Sequence, residues 1–206
     1  MMHRSPVICY DFDGTIIPFN SFRVYIVYSV LWAISSFRFL ATFGIFCGMV
    51  KKMIGRIDHL KFKEILVIRT ADMGKSHLAL FARICLLFSR SSLVNKISDQ
   101  KAAGNKLVLC TAAPYLYARL VAELYKFDLC VSYGDPELGY DLLMDNSKEV
   151  KMERVVSLCG EIQEMYSDHS DDLPLLSAAN EAFVVAPSVK QEILISSFLK
   201  NYTVIR

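Results

Sequence analysis

The run Val7-Ile8-Cys9-Tyr10 stops abruptly at Asp11-Phe12-Asp13-Gly14-Thr15. A short apolar run bounded by polar residues suits a strand buried on both faces, the kind found in parallel sheets. Parallel strands cannot be joined by a tight hairpin, and their ligands collect beyond their carboxyl ends. Gly14 permits a sharp turn at that point. A second unit of this kind is Lys106–Cys110, which runs into Thr111-Ala112-Ala113-Pro114, where Pro114 suits the first turn of a helix reaching about Lys126. Leu129–Tyr133, Met165–Ser167 and Ala182–Val185 read as further strands, and Lys148–Cys159, Leu173–Ala179 and Ser188–Leu199 as helices. Strands alternating with helices predict an α/β fold with a doubly wound, parallel, Rossmann-like sheet.

Residues 16–105, mainly helical in pattern, separate the first two strands, whereas a crossover needs only about a dozen residues. They are expected to form an inserted helical cap on a core made of residues 1–15 and 106–206. Charge divides in the same place. Segment 16–105 has 13 Lys and Arg against four acids, a balance of +9, and the remainder has 10 against 17, a balance of −7. A basic, apolar half beside an acidic one hints at an anionic surface or substrate. Val24–Val50 holds a single charge, Arg38, and is followed by Lys51, Lys52 and Arg56. With 53% hydrophobic residues, the chain must bury an unusual amount of apolar surface or set it against lipid. Ser35, Ser36, Arg38 and Gly44 interrupt the roughly 20 apolar residues that a spanning helix needs. One crossing would also strand the two halves of any site on opposite sides of the membrane. The stretch is therefore expected to pack within the cap or to meet a membrane interface.

Six scattered cysteines without C-x-x-C spacing read as reduced, mostly buried thiols. The apolar run at 7–10 is shorter than the roughly 7–15 residues of a secretion-signal core. A cytoplasmic location is expected, with the cap able to contact the cytoplasmic face of the membrane.

Asp11 and Asp13 put two carboxylates after a strand. Phosphoryl transfer needs a carboxylate nucleophile, an acid for the leaving oxygen and a cation to offset phosphate charge. The D-x-D-G-T sequence resembles the first signature of haloacid dehalogenase superfamily phosphatases, and the later signatures follow in order. Leu107-Val108-Leu109-Cys110-Thr111 is similar to the second, an apolar strand ending in Thr. The stretch Lys148-Glu149-Val150-Lys151-Met152-Glu153-Arg154 resembles the G-E-x-K-x-x-R of the phosphoserine-phosphatase-like branch, with Lys148 where that branch has Gly. Ser167-Asp168-His169-Ser170-Asp171-Asp172-Leu173-Pro174-Leu175-Leu176 is similar to its S-D-x-x-S-D-L-P-L-L.

The resemblance implies Asp11 as nucleophile, Asp13 as general acid and base, and Lys151 rather than Lys148 as the cation beside them. It implies phosphate binding by Thr111, Ala112 and Lys151, with N–H groups at a helix N-terminus helping. It also implies Mg²⁺ as cofactor, held at Asp11, Asp13 and Asp168, with Asp172 supporting the metal or the lysine. His169 is not expected to bind the metal, since Mg²⁺ prefers oxygen. His3, His59 and His77 read as surface or cap residues.

In phosphoserine phosphatases a Glu nine residues after the nucleophile helps bind the amino group, but that position is Asn20 here. L-Phosphoserine is thus not the expected substrate, and the chain looks more like branch members with an apolar cap, bacterial phosphatidylglycerophosphatases among them. The expected activity is a phosphomonoester hydrolase acting on an anionic or lipid-linked phosphate. Alternatives are a soluble-metabolite phosphatase and a phosphosugar phosphotransferase or mutase. A non-catalytic module would be expected to lose Asp11 or Asp13. Nucleic acid is not an expected partner, because the cations are interspersed with long apolar stretches.

Overall fold

Alternate residues of a strand face opposite sides of its sheet, and strand β1, Val7–Tyr10, is buried along its whole length. Ile8 and Tyr10 join Leu107, Leu109 and Tyr166 in one apolar cluster, while Val7 and Cys9 join Val108, Cys110 and Met165 in another. β1 is thus an interior strand covered on both faces. In the computed structural model, which describes residues 5–71, 73–136 and 146–206, it lies between β2, Lys106–Pro114, and β4, Ile162–Ser167. With β3 (Leu129–Tyr133), β5 (Ala179–Val185) and β6 (Thr203–Ile205) the described residues form one six-stranded parallel sheet, ordered β3-β2-β1-β4-β5-β6.

The register aligns Tyr10 with Tyr166 and Tyr166 with Phe183, and their rings stack at 4.4 and 4.6 Å across three strands. β2 runs on past Cys110 with a register shift, β4 and β5 each begin three residues earlier than their apolar runs indicate, and β6 was not expected. Polar or half-exposed residues such as Glu164, Asn180 and Glu181 mask these strand ends.

Among the described residues five helices fill the segment between β1 and β2: α1 Ser21–Ser35, α2 Phe39–Met53, α3 His59–Ala71, α4 Lys75–Leu87 and α5 Ser91–Ala102. The apolar stretch Val24–Val50 is broken at Ser36–Arg38, where Phe37 takes a positive φ of 55°. Among the described residues no single helix is long and apolar enough to cross a membrane; by length and composition alone the α4–α5 pair, bent by 103°, passes the same test. Tyr25 of α1 and Phe81 of α4 pack on Tyr117 of α6, Tyr115–Leu124, at 4.8 and 5.0 Å between ring centroids. α5 lies against the sheet, with Gln100 accepting from Tyr10 and Lys96 over the Tyr166 and Phe183 rings. The opposite face is covered by α7, Lys148–Cys159, and α8, Leu173–Ala178, through Val155, Leu175 and Leu176. Helix α9, Val189–Phe198, connects the last two strands.

Candidate active site

Register brings the site together. Tyr10 pairs with Leu109 on one side and Tyr166 on the other, and the Asp11 N–H continues the ladder onto the Tyr166 carbonyl at 2.9 Å. The loops after β1, β2 and β4 therefore emerge side by side. Asp11, Asp13, Thr111, Ala112, Lys151, Asp168 and Asp172 all line one cleft of about 420 Å³ at this edge.

Lys151, on the first turns of α7, is buried with its Nζ 2.9 Å from Asp11 Oδ1 and 2.6 Å from Asp172 Oδ1. Burial alone would favour its neutral form, but the two carboxylates outweigh that and hold its pKa well above the lysine value. Asp11 is pushed up, chiefly by burial, against the pull of Lys151, with Asp172 and Asp168 adding repulsion. Lys148, one turn earlier, is exposed and 3.8 Å from Asp171. Its φ is +50°, in the left-handed region that favours glycine, which accounts for the Gly at this position in the resembling motif.

Asp13 accepts from the Ser21 N–H at 2.9 Å, and burial raises its pKa to about 6, eased by Ser21 and by Lys63. Asp168 is raised by burial and accepts from the Thr15 hydroxyl at 3.2 Å. It also packs on Gly14, whose φ is +80°; a Cβ there would lie 2.2 Å from Asp168 Oδ2. Asp172 directs Oδ1 to Lys151 and accepts from Ser167 on Oδ2 at 2.6 Å, so both its oxygens support the lysine and its own strand end. Thr111 is buried and its hydroxyl accepts from Ala113 N–H at 3.0 Å. The helix N-terminus expected beside Thr111 lies farther on: β2 continues through Pro114 and α6 begins at Tyr115. His169 accepts from Asp171 N–H at 3.1 Å, capping the short turn Ser170–Asp172. His77 is buried in the cap against Tyr28 and Ser29, His59 is in contact with Lys52, and His3 lies outside the described residues.

Four further residues hold the site and were not read from the sequence. Lys63, buried on α3, donates to the Ala112 carbonyl at 3.0 Å and stands over the Tyr133 ring. Arg90 donates to the carbonyls of Thr15 and Gly14 at 3.1 and 3.3 Å. Asn146 donates to the Thr111 and Val131 carbonyls and accepts from Arg154. Ser21 holds Asp13. Their partners lie 8 to 76 residues away, beyond any local pattern.

Whether the site suits Mg²⁺ is a question of charge and donor type. Five carboxylates, Asp11, Asp13, Asp168, Asp171 and Asp172, line the cleft with one ammonium group, Lys151. Such an excess of carboxylates favours a bound cation, and the donors are hard oxygens, which suit Mg²⁺. Among the described residues no three His, Cys, Asp or Glu side chains form a ready metal cluster. Mg²⁺ keeps several waters and needs only a few carboxylates, so a ready cluster is not required.

The haloacid dehalogenase-like hydrolase family model matches residues 8–177, and the chain belongs to that family. A sequence search of curated proteins finds no match. Solved structures with the same fold include a protein of unknown function from Bordetella pertussis Tohama I, with 17% identity, 98% of this chain and 99% of that one covered, and a TM-score of 0.69. A probable phosphoserine phosphatase from Vibrio cholerae has 16% identity, with 98% of this chain and 61% of that one covered, at 0.65. A phospho-aspartyl intermediate analogue of phosphoserine phosphatase has 13% identity, with 99% and 95% covered, at 0.52.

Proposed function

We propose that this chain is a Mg²⁺-dependent phosphomonoester hydrolase that works through a phospho-Asp11 intermediate. The observation that carries the reading is the Lys151 ammonium 2.9 Å from Asp11, in a cleft that also holds Asp13, Thr111 and Asp168. Asp11 attacks phosphorus, the bond to the leaving oxygen breaks, and Asp13 gives that oxygen its proton. A carboxyl with a pKa of about 6 retains a useful protonated fraction near neutrality. Asp13, now ionised, takes a proton from water as its oxygen attacks phosphorus, and the Asp11–phosphorus bond breaks to release inorganic phosphate. Thr111, the Ala112 backbone and Lys151 hold the phosphoryl oxygens, and Asp172 keeps Lys151 in position. Asp11, Asp168 and the Asp13 carbonyl would hold Mg²⁺, which when bound neutralises phosphoryl charge. That a neighbouring phosphoserine phosphatase accommodates a phospho-aspartyl analogue supports the route.

The proposed substrate is an anionic phosphomonoester, lipid-linked and met by the cap, residues 16–105, at the cytoplasmic face of the membrane. Asn20 at the cleft uses its amide oxygen to cap α1, accepting from Arg23 N–H at 3.0 Å, which speaks against a role in binding a substrate ammonium. Asp11→Asn is the test. Phosphate release should fall below detection while beryllium fluoride with Mg²⁺ binds the wild type and not the variant; full turnover in Asp11→Asn would end the reading.

A further inference from the structure

A soluble cap would turn its apolar faces inward, but the α1–α2 hairpin buries one apolar face and turns another outward. Leu31, Ile34, Phe37, Leu40, Phe43 and Phe46 are each at least half exposed, Leu40 reaching 87%. Between the helices runs a groove of about 580 Å³ that Val27 and Leu31 of α1 and Phe43 and Phe46 of α2 help to line. Scattered exposed apolar residues are ordinary on a protein surface, whereas a contiguous patch marks an interaction site.

The charge around the patch selects the partner. Lys51, Lys52 and Arg56 lie at or just beyond the carboxyl end of α2. Between Gly14 and Ile57 there is no acidic residue. A second copy meeting this face through a two-fold contact would bring the same patch to itself, with no carboxylate to pair with those cations. An anionic bilayer offers apolar depth for the aromatic residues and negative headgroups for the cations. Each helix has 15 residues, about 22 Å, short of the roughly 20 residues needed to span. The hairpin would lie in the interface rather than cross it.

α1 ties this surface to the active site. Its first residue, Ser21, holds Asp13, and Val27 stands six residues on, about 9 Å along the axis. We infer that the α1–α2 hairpin is an interfacial docking element that seats the enzyme on an anionic lipid surface. The inference rests on the phosphatase reading only for its purpose, since docking itself needs no turnover.

Co-sedimentation with phosphatidylglycerol and phosphatidylcholine vesicles tests it, with Mg²⁺-dependent hydrolysis of p-nitrophenyl phosphate measured in parallel. The wild type should bind phosphatidylglycerol vesicles, and binding should weaken as salt rises. The double variant Lys51→Glu, Lys52→Glu should lose at least roughly 25-fold in apparent affinity, from about fivefold per cation removed. Phe43→Ser with Phe46→Ser should lose binding as well, and both variants should hydrolyse the soluble ester at the wild-type rate, which reports an intact fold and cleft. Absence of binding at low salt overturns the inference, as does binding that both variants retain. A dimer in solution that Phe43→Ser and Phe46→Ser dissociate would overturn it in favour of self-association. Vesicle binding without ester hydrolysis would leave docking standing and count against the phosphatase reading.

Discussion

The cleft and the α1–α2 hairpin use the same solvent in opposite ways. In the cleft, charged side chains are withdrawn from water and matched: Lys151 is buried between Asp11 and Asp172, and Lys63 lies between the Ala112 carbonyl and the ring of Tyr133. On the hairpin, large apolar side chains are given to water, with the cations Lys51, Lys52 and Arg56 at its end. Buried charge is tolerated only where partners are close, so the cleft is pre-formed and intolerant of change. Exposed apolar side chains make few contacts inside the protein, so the hairpin is open to substitution and its value depends on its surroundings.

The sharpest way to break this contrast is at Lys151. Lys151→Ala leaves Asp11 and Asp172 buried without their cation, a loss of about 3–5 kcal/mol when one partner of a buried pair is removed. Turnover should disappear with it, as measured by phosphate release and a denaturant melt. Lys148→Ala, one turn away and exposed, should behave nearly as wild type; the reverse pattern would transfer the role to Lys148. Asp13→Asn should keep the fold and lose roughly 10²–10⁴-fold in kcat, the usual worth of general acid and base help.

A prediction on the cap side concerns His77, which burial holds down at about 4 against an ordinary value of 6.5. The unfolded chain takes up a proton below 6.5 that the folded one refuses until about 4, so stability is full above 6.5 and falls as pH drops through that window. Urea melts at pH 8 and pH 5 should differ by about 2 kcal/mol more in the wild type than in His77→Gln. Equal differences would show that His77 does not govern the cap. The smallest effect expected is at Lys148→Gly. Relief of the +50° φ, offset by the entropy of glycine, should stabilise by up to about 1 kcal/mol, visible as a higher melting midpoint with unchanged kcat.

Much of the cleft was legible because its residues sit in short motifs whose spacing follows from strand ends: Asp11 and Asp13 after β1, Thr111 in the carboxyl-terminal part of β2, Asp168 after β4. The choice of Lys151 over Lys148 rested on motif alignment, and the helix geometry separates the two by burial. The sheet was legible wherever a strand is apolar on both faces. It was not where only one face is covered, as at Ile162–Glu164, at Ala179–Glu181 and in β6. Nor could local pattern reveal Lys63, Arg90 or Asn146, whose roles depend on partners brought close only by folding. The break between α1 and α2 fell among the interruptions at Ser35–Arg38, but which faces would point outward depends on α3 and α4 packing behind them.

Arg90 gives the last of these contacts a wider meaning. The chain leaves the core at Thr15, makes its excursion through four helices, and on returning clasps the very peptide groups it departed from, with Ser21 and Lys63 gripping Asp13 and the Ala112 carbonyl in between. The excursion is therefore stitched to the reaction centre at its beginning, middle and end. Replacing the whole insert with that of a relative, to transplant its substrate preference, should give an idle enzyme unless those three stitches travel with the graft. Selection acting on new substrates would accordingly be expected to rework the outer turns of α1 and α2 and to leave the stitched residues alone.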